Sequence, residues 1–195
     1  MPQARGPCPT EVINSAGTGA NMPLPYAALF VRVAARALEE HPALNALLVG
    51  DEIQMIGQVN MGVAVDAPQG VLVPVGKGPN KKSFRETAEE LAGLIDRART
   101  SKLLPEDLLE GTFTITNLGM NEIDAFTPII NPPQIAILGV GRILPKPVAW
   151  LGQIRLRDMV FLSLTFDHRA VDGAPAARFL QGIKMLLEDP GWIFP

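Results

Sequence analysis

A histidine stands at position 168 in the stretch SLTFDHRAVDG, residues 163–173, flanked by Asp167 and Arg169 and followed by Asp172 and Gly173. Imidazole titrates near neutrality, which makes it the natural general base at physiological pH. The chain holds 2 histidines, and the other, His41, falls at an ordinary helix–loop junction. Charge from Asp167, Arg169 and Asp172 crowds His168, and Gly173 allows close approach of backbone or ligand. The plainer reading is a core histidine satisfied by hydrogen bonds, with Asp167 and Arg169 as a structural ion pair. Asp172 also reads two ways. It can cap the helix that follows, or it can orient and electrostatically support the His168 turn, and the two are compatible.

A second chemical group is the hydroxyl of Thr116 in TITNLG, beside Asn117 and Gly119. Threonine is common in strands, so alone it means little. At a strand end, however, such a hydroxyl can donate to a developing oxyanion. The chain has no GxSxG elbow, no phosphate-binding loop and no His/Cys cluster spaced for a metal, and GVGRI (139–143) offers only a G-x-G. A histidine base, one hydroxyl and no metal suit acyl transfer to an external nucleophile, without choosing that nucleophile.

These residues need elements to hold them. The segment LPYAALFVRVAARALEE (24–40) reads as a mostly buried helix, with Arg32, Arg36 and Glu40 as a narrow polar strip. EIQMIGQVNMGVAVD (52–66) and GVLVPVG (70–76) are β-rich runs joined by the turn APQG. Ser83 and Glu86 form a capping box before a helix whose apolar face is Phe84, Ala88, Leu91, Ala92, Ile95 and Ala98. GTFTITNLG (111–119) is a strand, FTPIINPP (126–133) is irregular, and QIAILGVGRI (134–143) is a buried strand. IRLRDMVFLSLTF (154–166) reads as one strand, with Leu162, Leu164 and Phe166 on one face and Ser163 and Thr165 on the other. The last helix starts at Asp172, tolerates Pro175 in its first turn, and lines Phe179, Ile183 and Leu186 on one face. The interspersed strands and helices predict an α/β fold, a mixed sheet flanked by helices around one core.

Composition bounds the rest. The 195 residues are 47% hydrophobic and 19% charged, as in a soluble globular domain. A net charge of −3 gives no footprint for nucleic acid. Cys8 is the single cysteine, so an intrachain disulfide is excluded, which fits a reducing compartment. No apolar run approaches the ~20 residues of a membrane helix. The first 23 residues, MPQARGPCPTEVINSAGTGANMP, lack the apolar core of a signal peptide and read as a flexible or atypical arm. A cytoplasmic location is expected.

The stretch SLTFDHRAVDGAPAARFL resembles the D-H-R-x-x-D-G signature of the dihydrolipoamide acyltransferases, the E2 cores of 2-oxo acid dehydrogenase complexes. GTFTITNLGM, FTPIINPPQIAILGVGRI and MGVAVDAPQGVLVPV resemble other segments of that family, in the same order, so the likeness covers residues 24–195. The fold it implies is that of the chloramphenicol-acetyltransferase-like superfamily. The reaction it implies moves an acyl group, with acetyl expected, between dihydrolipoamide and coenzyme A. The family's mechanism makes His168 the base for the coenzyme A thiol and Thr116 the oxyanion donor, where the family often has serine. Asp172 matches a further active-site position, and Asp66, Asn117, Met120, Gly141 and Ile143 fall where the family contacts coenzyme A.

The resemblance also implies a homotrimer that assembles into a larger shell, with the histidine of one subunit against the hydroxyl of the next. The lipoyl group would come from a separate domain, and the E1 and E3 components would be partners. The family's further basic helix and strand before the Leu24 helix have no counterpart in residues 1–23, so the domain reads as shortened at its front. Two other classes stay open: a non-catalytic E2-like scaffold, and an O-acyltransferase of the chloramphenicol acetyltransferase kind.

Overall fold

The computed structural model describes residues 25–150 and 152–193, so the arm expected at 1–23 lies outside the described residues. Helix α1, Tyr26–Glu40, buries every residue from Ala28 to Leu38 except Arg32 and Arg36. Arg36 pairs with Glu39 at 2.9 Å and Glu40 at 3.3 Å, which keeps the polar strip at the surface. Strands β1 (Ala46–Val49) and β2 (Glu52–Met55) follow as an antiparallel hairpin. The apolar stretch after His41 is thus a strand as well as a helix stop.

The first β-rich run is cut in two. The Asn45 side-chain amide donates to the carbonyls of Ile56 and Gln58 at 2.6 and 3.0 Å, which takes both out of any ladder. Beyond the cut lie β3 (Asn60–Val63) and β4 (Val65–Ala67), then β5 (Gly70–Leu72) and β6 (Val75–Lys77). Strands β4 and β5 pair about the expected APQG turn. Helix α2, Phe84–Arg99, opens with the capping box: Glu86 N–H donates to Ser83 Oγ at 3.2 Å and Ser83 N–H to Glu86 Oε2 at 2.7 Å. Its buried stripe is Thr87, Leu91, Leu94 and Ala98, and Ala92 is exposed, which corrects the face read from apolarity. Thr87 can be buried because its hydroxyl donates to the Ser83 carbonyl at 2.9 Å.

The remaining strands are β7 (Phe113–Asn117), β8 (Ala136–Val140), β9 (Leu144–Trp150), β10 (Gln153–Met159) and β11 (Leu162–Phe166), before helix α3, Gly173–Glu188. The single strand expected at 154–166 is therefore two. Strand β10 turns back on β9 as a separate hairpin, with Gly152 at φ 76. The Phe161 carbonyl accepts from Gly141 N–H at 3.0 Å, where the chain leaves the hairpin for the main sheet.

Among the described residues, the main sheet has five strands in the order β11-β8-β7-β3-β6. Strands β3, β7 and β8 are mutually parallel, and the edge strands β6 and β11 are antiparallel to their neighbours. One face carries Met61, Phe113, Ile115, Leu138 and Val140, buried with α1 and α3 in a single core. Phe179 of α3 meets Phe113 edge-on, ring centres 5.5 Å apart. The alternation of β7 sends Thr114 and Thr116 to the other face. There the irregular segment 126–133 packs over β8 so closely that a Cβ on Gly139 would lie 3.1 Å from Phe126 and 3.2 Å from Pro128. No helix among the described residues is long and apolar enough to cross a membrane.

Candidate active site

His168 stands two residues beyond the end of β11. Asp167 N–H donates to the Ile135 carbonyl at 2.8 Å, prolonging the ladder, and the Asp167 carbonyl then accepts from Ala170 and Val171 at 3.0 and 3.1 Å, closing the turn. The Asp167 carboxylate accepts from Arg169 N–H at 2.9 Å and from its guanidinium at 2.7 and 3.0 Å. Those hydrogen bonds from the Arg169 side chain, then from its backbone, lower the Asp167 pKa to about 2. The ion-pair reading of these two residues is thus the geometry found, and it builds the turn that presents the histidine.

The His168 side chain is 73% exposed, and its ring lies 5.7 Å from that of Phe166. A buried, hydrogen-bonded core histidine is not what this is. Nδ1 sits 3.9 Å from Asp172 Oδ1, too far for a hydrogen bond. Asp172 occupies the N-cap of α3 with extended backbone, yet its side chain makes no cap hydrogen bond. Of its two readings, capping is positional only, and the carboxylate is left facing the histidine.

Thr116 lies near the other end of the sheet. It pairs with Gly139 in β8, which pairs with Ser163 in β11. Its side chain helps line a cleft of about 440 Å³ between the sheet and residues 126–131, shared with Ala64, Thr114, Phe126 and Ile137. Thr114 donates its hydroxyl to Gln134 Oε1 at 2.6 Å, whereas no described residue engages the Thr116 hydroxyl. Two threonines point the same way, and one of them has a hydrogen to give. Sequence reading missed the Thr114–Gln134 pair and the cleft wall, though the two-residue spacing in FTITN was the available signal.

The residues matched to coenzyme A contacts gather at the carboxyl ends of the parallel strands. Asn117 ends β7, and its Oδ1 accepts from Gly119 N–H at 2.8 Å, shaping the turn that carries Met120, which is 81% exposed. Gly141 follows β8, and a Cβ there would overlap the Asp124 carbonyl oxygen. Ile143 packs half-buried against the core. Asp66 is exposed on β4, just beyond Ala64, whose N–H donates to Ile115 at 2.9 Å. Ligand crevices in open α/β sheets lie at such strand ends. His168 is at the opposite end: from Ser163, level with Thr116, to Phe166 is about 10 Å along the strand and about 10 Å across two strand spacings. Within one chain, base and hydroxyl do not meet.

A sequence profile of the 2-oxoacid dehydrogenases acyltransferase catalytic domain matches residues 10–194. The chain belongs to that family. This acyltransferase domain is 40% identical over 167 residues to the dihydrolipoyllysine-residue succinyltransferase component of the 2-oxoglutarate dehydrogenase complex of Haemophilus influenzae, covering 86% of the chain and 41% of that protein. It is 44% identical over 171 residues to the dihydrolipoyllysine-residue acetyltransferase component of the pyruvate dehydrogenase complex of Corynebacterium glutamicum, covering 85% of the chain and 25% of that protein. The acyltransferase domain thus spans less than half of each, and its relatives divide between succinyl and acetyl transfer. Among solved structures, the dihydrolipoamide acetyltransferase of Azotobacter vinelandii superposes with a TM-score of 0.82 at 39% identity, over 87% of this chain and 70% of that one. A chloramphenicol acetyltransferase, at TM-score 0.57, 14% identity and 83% and 77% coverage, shares the fold.

Proposed function

We propose that the domain transfers an acyl group, acetyl foremost, between dihydrolipoamide and coenzyme A, with His168 of one subunit acting against Thr116 of a neighbour. The separation of these two groups in a single chain carries this reading: each is exposed or cleft-facing, neither side chain hydrogen-bonds to a described residue, and a second copy is needed to join them. A serine, a histidine and an asparagine were studied in the catalytic mechanism of the Azotobacter vinelandii enzyme, and the same intervals separate Thr116, His168 and Asp172. Threonine and aspartate keep the hydroxyl and add a charge.

The chemistry follows from the groups. A His168 ring nitrogen takes the proton from the coenzyme A thiol, and the thiolate attacks the thioester carbonyl of S-acyl-dihydrolipoamide. The Thr116 hydroxyl donates to the tetrahedral oxyanion. Collapse breaks the carbon–sulfur bond to dihydrolipoamide, whose thiolate recovers the proton from the imidazolium. Asp172, 3.9 Å from Nδ1, steadies that imidazolium. Asp66, Asn117, Met120, Gly141 and Ile143 would guide coenzyme A along the strand ends, with Asn117 and Gly141 acting through the shape of the turn.

The same reading makes the assembly a homotrimer within a larger shell, served by a lipoyl domain and by E1 and E3 components. The cubic core of a pyruvate dehydrogenase multienzyme complex superposes with a TM-score of 0.83 at 38% identity, which supports it. The test is purified oligomer, sized by light scattering, assayed with acetyl-CoA and free dihydrolipoamide. Thioester exchange is expected. A folded oligomer without turnover would instead be a scaffold, and acylation of a hydroxyl acceptor but not the dithiol would make it an O-acyltransferase.

A further inference from the structure

The cleft that holds the Thr116 hydroxyl has walls of Val71, Val73 and Ile137 and a rim of Ile129 and Ile130, and no described residue lining it is charged. Its polar groups are few. The Thr114 hydroxyl hydrogen is spent on Gln134, which leaves Thr116, Thr127 and Asn131. If the acyl carbonyl sits at Thr116, as the acyltransferase reading above requires, the acyl tail extends only a few bond lengths from that hydroxyl and meets these side chains. An aliphatic tail loses water there and gains dispersion contacts. A tail ending in a carboxylate sheds hydration against the apolar wall and meets no free cation, because the Arg169 that a neighbour brings with His168 is already held by Asp167; that cost exceeds any gain from its methylenes.

We infer that this cleft selects the acyl group by charge: it accepts neutral aliphatic acyl groups, acetyl and short branched ones, and rejects those with a terminal carboxylate, such as succinyl. The inference rests on the function proposed above and narrows it. Overall similarity cannot make this choice, since succinyl- and acetyltransferase relatives stand at 40% and 44% identity. The cleft wall makes it. Val71, Val73, Ile129 and Ile137 are then specificity-determining residues.

The experiment compares acetyl-CoA, isobutyryl-CoA and succinyl-CoA with free dihydrolipoamide on the intact oligomer. The kcat/KM for succinyl-CoA is expected to fall at least roughly tenfold below the other two, the scale on which a mismatched group in a pocket is rejected. Succinyl transfer equal to or faster than acetyl transfer overturns the inference. Ile129 is 89% exposed, so Ile129→Arg leaves the core untouched while placing a cation at the rim. The ratio of succinyl to acetyl kcat/KM should rise in this variant, again by roughly tenfold. An unchanged ratio shows that the acyl tail lies elsewhere. If no coenzyme A ester turns over, the acyltransferase reading fails separately, and calorimetric titration with the same three esters decides the cleft: tighter binding of acetyl- and isobutyryl-CoA upholds charge selection, and equal binding or none refutes it.

Discussion

His168 owes its position to Asp167 and Arg169 more than to the core. Their fork of hydrogen bonds closes the turn, so the imidazole projects outward with Asp172 beside it. His168→Ala is therefore expected to abolish acyl transfer while the oligomer keeps its size in light scattering, because an exposed ring takes little stability with it. Thr116→Val keeps the shape and removes the donor, and kcat should fall about 100- to 1,000-fold with KM for acetyl-CoA nearly unchanged. Equal rates for the two proteins would end the oxyanion role. The Asp167 pKa, held at about 2 chiefly by Arg169, has a definite consequence. A carboxylate depressed on folding adds stability above its unfolded pKa of about 3.9, lost as pH falls through the folded value. Arg169→Leu should raise the Asp167 pKa, seen by carboxyl titration in NMR, and move that part of acid unfolding to higher pH. The exposure of Arg169 keeps the stability change itself small. Sequence made His168 and Thr116 legible because both stand where strand alternation stops. It could not show that Thr114, with the same side chain on the same face, is already committed to Gln134, since that partner comes from a distant segment.

Elements were legible where one local rule sufficed. The Ser83–Glu86 box, the polar strip of α1 and the start of α3 after Asp172 each depend on neighbours within two turns. The β9–β10 hairpin was hidden because Pro145 and Pro147 argue against a strand, yet both lie in a two-stranded ribbon away from the main sheet, where missing donors are tolerated. The break in the run at 52–66 was hidden because its cause, Asn45, is a tertiary contact. Gly141 is a further case: its need for hydrogen at Cα comes from the Asp124 carbonyl, which the sequence does not place there. Gly141→Ala should push the 118–124 loop off the sheet, costing about 1–3 kcal/mol in denaturant unfolding, as overpacking does. It should also raise KM for acetyl-CoA, since Met120 rides on that loop and Asn117 borders it. Phe179, fully buried against Phe113 and His41, anchors α3 to the sheet. Phe179→Ala should cost about 3–5 kcal/mol, read from the same unfolding curves.

At the scale of the molecule, the sheet sets the division of labour. Its parallel strands deliver Thr116 and the cleft at their carboxyl ends, while antiparallel β11 runs back and delivers His168 at the other end. On the function proposed above, a monomer so built holds two half-sites facing different directions, and cyclic association, each subunit giving one surface to its neighbour's other surface, would turn half-sites into whole ones. This makes a prediction that no intrachain site could satisfy. His168→Ala and Thr116→Ala proteins, each inactive alone, are dissociated, mixed in equal amounts and reassembled. An intact site then needs an intact histidine from one subunit and an intact threonine from its neighbour, which random cyclic mixing supplies at about one quarter of all sites. Recovery of about that fraction of wild-type kcat, with KM for acetyl-CoA unchanged, is the expected result. A mixture as inactive as its components, reassembled to the wild-type size, would show that base and hydroxyl belong to one chain after all, against the geometry of the sheet.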